Sequence, residues 1–344
     1  MRDSHALYRQ LLGPFETALD GIDHLIVVPG GALASLPLGV LVTRAPAPGG
    51  EHDYAHAAWL IRRVALSQVP SLRAFISLRA ASPGRARPAK PFLGFGNPTF
   101  AGAAQPAEGK PSALVALAQQ CRDNGPMPPE MLRALAPLPE TAGEVNTVAR
   151  LLGAGGSAVF LGRDATETKL RQLPLDQYGV LYFATHGLLP GELRCQAEPG
   201  LALSPPATPT ANKADDGLLD ATEIAGLSLN ADLVVLSACN TASGGGRFGG
   251  EALSGLAEAF FYAGAHALLA SHWQVPSTAT VRLMTGLFER AGPGLAHGIA
   301  ESLRQSQLAL LDQPATAHPF FWAAFTIIGD GGRSDATRGV AASR

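Results

Sequence analysis

Six short apolar runs, none alternating with polar residues, recur along the chain between longer amphipathic stretches. They are PFLGFGNP (91–98), SAVFL (157–161), GVLYFAT (179–185), DLVVLSA (232–238), HALLAS (266–271) and WAAFTII (322–328). A strand with one wet face alternates; a strand buried on both faces reads as a continuous run. The stretches between carry helical signals. Residues 140–152 place Val145, Val148, Ala149 and Leu152 on one face. Residues 164–173 open on Asp164, a good N-cap, and 220–226 form a short helix. Residues 250–263 end at Gly264. Residues 278–290 and 294–311 complete the set, with Leu295, Ile299, Leu303 and Leu310 on one side of the second. Strands alternating with crossovers of this length predict right-handed βαβ units. The expected fold is α/β, with a mostly parallel sheet of about six strands flanked by helices. Ligands of such sheets sit beyond the carboxyl ends of the strands.

The first part of the chain reads as a helix over 6–20, a strand over Leu25–Val28, a strand over 59–70 and a helix over 71–80. A Pro-, Arg- and Ala-rich stretch at 82–91 suggests a boundary. The expected division is an N-terminal structural part (1–90), a catalytic part (91–331) and a disordered tail (332–344). Residues 101–139 read as an insertion with one helical piece near 112–121. Residues 188–219 read as a mobile lid or as plain disorder.

Composition excludes several function classes. Hydrophobic residues make up 47% of the chain and charged residues 16%, enough apolar content for a real core. Net charge is −2 without a basic stripe, so no nucleic-acid partner is expected. No signal peptide or membrane span is read, and a cytoplasmic location is expected. Cys121, Cys195 and Cys239 are the three cysteines, without CxxC spacing, so neither a disulfide framework nor a zinc site is expected. No metal or cofactor is implied.

Two strand ends carry chemistry. The run 179–185 leads directly into His186-Gly187, and 232–238 into Cys239-Asn240-Thr241. On neighbouring parallel strands these groups would meet at one sheet edge. A thiol is mostly protonated at neutral pH, and an adjacent imidazole can take the proton. Either residue alone is more often a core residue than a catalytic one. The glycines after Cys239 lack the Lys-Ser/Thr of a phosphate-binding loop.

A broader pattern adds to this pair. YGVLYFATHG, DLVVLSACNTASGGG, GEALSGLAEAFFYAGAHALLASHWQV, GLAHGIAESLRQSQLALL and HPFFWAAFTIIGD occur in that order. With LPETAGEVNTVARLL, LGRDATETKLRQL, DGLLDATEIAGL and, upstream, LIVVPGGALASLPLGVL, they closely resemble the CHAT family of caspase-like domains. The resemblance spans about residues 6–330. It implies a caspase-like, separase-like layered fold with an N-terminal pseudo-caspase-like region. It places the catalytic His on His186 and the Cys on Cys239, 53 residues apart. It also assigns the oxyanion hole to the amides of Gly187 and Cys239. The implied function is a cysteine endopeptidase cleaving a protein substrate in bacterial signalling or defence. Activation by a separate sensor or repeat-containing protein is implied too.

Substrate contacts are expected from Ser271, Trp273 and Gln274, where a peptide could add as a strand. Gln274 stands where caspases carry an Arg for acidic P1 residues, and Ser237 stands where basic-specific relatives often carry Asp. Asp215, Asp216 and Glu251 are then the candidates for an acidic pocket; Glu251 also suits a helix N-terminus. Two other readings stay open: a catalytically silent CHAT interaction module, and another thiol hydrolase.

Overall fold

The computed structural model describes residues 1–50, 52–81, 85–100, 125–193, 196–237, 249–273 and 275–331, without the side chains of 249–254. The expectations for the tail 332–344, the helical piece near 112–121, and residues Cys121, Cys195, Cys239 and Gln274 therefore lie outside the described residues.

The strands in chain order are β1 (His24–Val27), β2 (Ala65–Gln68), β3 (Lys90–Pro98), β4 (Val159–Gly162), β5 (Tyr178–Ala184), β6 (Gly187–Leu188), β7 (Gly200–Ala202), β8 (Leu218–Asp220), β9 (Leu233–Leu236), β10 (Ala267–Ser271) and β11 (Phe325–Gly329). All six runs read from the sequence are strands. The chain forms two compact units, Arg87–Trp273 and a second made of Met1–Ala86 with Gln274–Arg344. Five of the six strands fall in the first unit. The sixth, β11, joins the N-terminal strands, so the chain is parted twice; a single linker signal near residue 82–91 could not show that.

In the Arg87–Trp273 unit the strands lie in the order β10-β9-β5-β3-β4, every neighbouring pair parallel. Helices cover both faces. On one face, Val145 of the helix Glu140–Leu151 sits against β3 where Gly94 leaves room. A Cβ on Gly94 would lie 2.5 Å from Val145 Cγ1. The missing side chain lets helix backbone approach the sheet. On the other face Phe260, from the helix Gly249–Ala263, meets Phe183 at 5.9 Å between ring centroids. Phe183 continues into a row with Phe95 and Phe160, at 5.8 and 5.3 Å. Every residue of β5 and β9 is buried, which accounts for their unbroken apolar runs.

In the other unit β1, β2 and β11 are parallel with β2 central. The expected strand 59–70 is only half strand: Leu60–Arg63 is a helical turn and β2 starts at Ala65. Arg304 holds that turn, donating to the carbonyls of Ile61 and Arg62 at 2.7 and 2.6 Å. The expected helix 294–311 begins only at Ile299, because Gly298 has φ +80°. The helix read from Asp164 is capped instead by Thr166, whose hydroxyl accepts from the amide of Lys169. Among the described residues no helix is long and apolar enough to cross a membrane.

Candidate active site

β5 is the middle strand of its unit. β3 and β5 are neighbours, but the chain leaves them in opposite directions, from β3 outward to β4 and from β5 across to β9. Such a reversal opens a crevice at the carboxyl edge of a parallel sheet. His186 stands at that edge, two residues past β5, and is partly exposed. Phe100, just past β3, packs against it at 5.5 Å between ring centroids. The imidazole Nε2 lies 2.8 Å from the carbonyl oxygen of Ala136. A carbonyl can only accept, so Nε2 carries the hydrogen and donates it. In the neutral ring Nδ1 is then left as the basic nitrogen.

His186 runs straight into a small antiparallel sheet. Gly187 and Leu188 of β6 pair with Leu201 and Gly200 of β7, and β7 pairs with β8. The stretch 188–219, expected to be a lid or disorder, thus carries two strands. Each is three residues long, too short to show a period among the flanking Pro and Thr residues. Leu201 and Leu219, fully buried, are what hold it in place.

β9 lies beside β5, parallel to it, and points Ser237 toward the same edge. Cys239, two residues further on, lies outside the described residues. Behind this edge is a polar group that sequence reasoning did not single out. Glu144 is 2% exposed, and Tyr182, fully buried on β5, donates to its Oε1 at 2.5 Å. Burial raises the Glu144 carboxyl above its ordinary range. It likewise pushes the Tyr182 phenol well up, aided by the nearby carboxyl. The buried Ser237 Oγ forms no hydrogen bond to a described residue, yet lies near enough to Glu144 and Tyr182 to favour their charged forms. The sequence did carry a signal. Glu144 sits in the apolar stripe Thr141, Val145, Val148, where a carboxyl must find a partner.

The other expected site residues stand on several elements, Ser271 and Trp273 at the carboxyl end of β10, which runs parallel to β9 and β5. Ser271 ends β10 and is buried. His272 is 5% exposed, and burial lowers its imidazole to about 4, so it is neutral at pH 7. Trp273 is half-buried with its ring tilted against His272 at 6.3 Å. Glu251 belongs to the first turns of the helix Gly249–Ala263. Asp215 accepts from the Thr168 hydroxyl. Asp216 is 1% exposed and accepts from two backbone amides, Met127 at 2.6 Å and Leu218 at 2.8 Å. Those bonds commit Asp216 to the scaffold.

Around Asp216 lies a group of buried carboxyls. Glu167 accepts from the amide of Gly217 at 2.6 Å through Oε2, while Oε1 has no hydrogen-bond partner among the described residues. Arg171 is 3.9 Å from that oxygen but only 3.0 Å from Glu223. Burial, then the charge of Glu223, raises Glu167 to about 8. Burial raises Asp216 to about 6 and Glu223 to about 7.

Parallel strands in this order, helices on both faces and a histidine at the carboxyl edge of the middle strand make a caspase-like α/β fold. The CHAT domain matches residues 1–330, and the chain belongs to that family. Mouse tetratricopeptide repeat protein 28 is 34% identical over 112 residues, which is 33% of this chain and 4% of that protein's length. Among solved structures, the complex of Porphyromonas gingivalis RgpB pro- and mature domains superposes at TM-score 0.51 and 12% identity. That match covers 96% of this chain and 69% of the other. The Arg specific cysteine proteinase gingipain R (RgpB) alone matches at 0.47 and 11%, over 79% of this chain and 55% of that one. The Saccharomyces cerevisiae separase–securin complex gives 0.47 and 13%, covering 89% and 15%.

Proposed function

We propose that the chain is a cysteine endopeptidase in which His186 is the base and Cys239 the nucleophile. The observation that carries this reading is the oriented imidazole, with Nε2 donating to the Ala136 carbonyl and Nδ1 left as the basic nitrogen of the neutral ring. A base held by a third group is the arrangement that activates a nucleophile. Nδ1 accepts the Cys239 proton, and the thiolate attacks the scissile carbonyl. The tetrahedral oxyanion is held by the amides of Gly187 and Cys239. Imidazolium returns the proton to the departing amine, leaving a thioester. Water, deprotonated by His186, then releases the acid and restores the thiol.

We assign substrate contacts to Ser271, Trp273 and Gln274. Activation by a separate repeat-containing protein is part of the proposal; the curated relative's own name carries such repeats.

An acyl-reactive peptide probe tests the reading. Labelling should fall on Cys239, disappear in Cys239→Ala and drop at least a hundredfold in His186→Ala. Absence of labelling with and without candidate activators would leave a silent interaction module. Turnover of small esters without peptides would point to another thiol hydrolase.

A further inference from the structure

The orienting carbonyl of Ala136 comes from segment 125–139, whose only helix is Pro129–Arg133. Three contacts tie the segment down. The Met127 amide donates to Asp216 Oδ2 at 2.6 Å. Leu132, fully buried, packs in one cluster with Phe100, Met127, Leu188, Ala202 and Leu218. Arg133 donates to the carbonyls of Pro206 and Ala207 at 2.5 and 2.7 Å.

These partners belong to the small antiparallel sheet or its connecting loop, apart from Phe100. That sheet is fixed in turn to the backbone of His186. The Ala202 amide donates to the His186 carbonyl at 2.9 Å, and Thr185 donates to the Ala202 carbonyl. The contacts therefore close a ring. It runs from the His186 main chain through β7 and β8 to Asp216, across to Met127, along the short helix to Ala136, and back to the His186 imidazole.

Asp216 is the buried polar link between the two segments, Arg133 being the more exposed one. Its second oxygen accepts from the Leu218 amide, which fixes the direction of the carboxylate. Gly217 between them has φ +96°, and a Cβ there would lie 2.8 Å from Pro205 and 2.9 Å from Leu132. The turn thus brings the carboxylate and Leu132 together only because no side chain intervenes.

We propose that Asp216 is a positioning residue for His186: by holding Met127 it places the Ala136 carbonyl that orients the imidazole. The inference rests on reading His186 as the base. A carboxylate that only stabilised the fold would, when altered, change the amount of folded protein and leave the imidazole of the folded fraction as it was.

The test uses the full chain labelled with nitrogen-15 in histidine. His186 is assigned from the signals lost in His186→Gln. The wild type should show the Nε2–H tautomer. Asp216→Asn leaves one acceptor oxygen for the Met127 and Leu218 N–H groups; it should mix the tautomers and slow probe labelling of Cys239 at least tenfold. Arg133→Ala loosens the same segment from its exposed side without touching the buried carboxylate, and should shift both readouts in the same direction. Asp312→Asn, a surface control, should change neither. A wild-type tautomer and labelling rate in folded Asp216→Asn would overturn the proposal, whatever Arg133→Ala shows. Should Asp216→Asn not fold, Asp216→Ser is read by the same two measurements. Should wild-type Cys239 take no label, the peptidase reading fails, and the tautomer of the variants still decides the clamp.

Discussion

Glu167 gives a linkage experiment whose size and sign follow from its surroundings. The side chain is 1% exposed, one oxygen bonded to the Gly217 amide and the other without a hydrogen bond to a described residue. The nearest cation, Arg171, is drawn to Glu223 instead. The native state consequently keeps the Glu167 proton up to about pH 8, against 4.5 for the ordinary group. Because the folded value is raised, the stabilisation is complete below pH 4.5 and is lost as pH rises through about 8. Each pH unit in that window costs roughly 1.4 kcal/mol for one proton, so the loss from pH 5 to 8 is about 4 kcal/mol. Glu167→Gln keeps the acceptor for Gly217 and removes the titration. Urea unfolding of both proteins at pH 5, 6, 7 and 8 isolates the effect. The wild-type advantage over Glu167→Gln should shrink steadily with pH. Asp216 and Glu223 titrate in both proteins, so their contributions largely cancel in the difference. A gap constant within about 0.5 kcal/mol, or one that widens with pH, would show that Glu167 is ionised in the fold and refute the reasoning.

Three further perturbations test other parts. Glu144→Gln should be nearly neutral, while Glu144→Ala strands the buried Tyr182 hydroxyl and should cost about 3 kcal/mol in chemical denaturation. Gly94→Ala drives a methyl into Val145 and should cost about 1–3 kcal/mol; adding Val145→Ala should cost less than the sum of the two single changes. Asp220→Ala removes the capping box of Ala221–Ala225 and the ion pair with Lys213, and should cost about 1–2 kcal/mol by the same assay.

The strands and helices were legible because each is specified locally. Unbroken apolar runs suit strands buried on both faces, and β5 and β9 are that in the structure, whereas the run 157–161 became the edge strand β4, partly exposed throughout. The position of His186 at a strand end followed from the same pattern. Where an element failed to appear as expected, a local reading had missed a longer-range partner. Arg304 lies more than two hundred residues from the turn 60–63 that it holds. The antiparallel strands β7 and β8 are too short to carry a period, and the buried leucines that fix them have neighbours only in the folded chain.

The sequence by itself determined the layered α/β class and which residue types stand at the carboxyl edge of the sheet, because periodicity and burial are properties of contiguous residues. Only the tertiary structure decided what orients the imidazole. That group is a main-chain carbonyl of Ala136, 50 residues earlier, and a backbone oxygen carries no side-chain signature to read. The same holds for Asp216. Its residue type suggested a charged pocket, but its two oxygens are filled by amides that folding alone brings within reach.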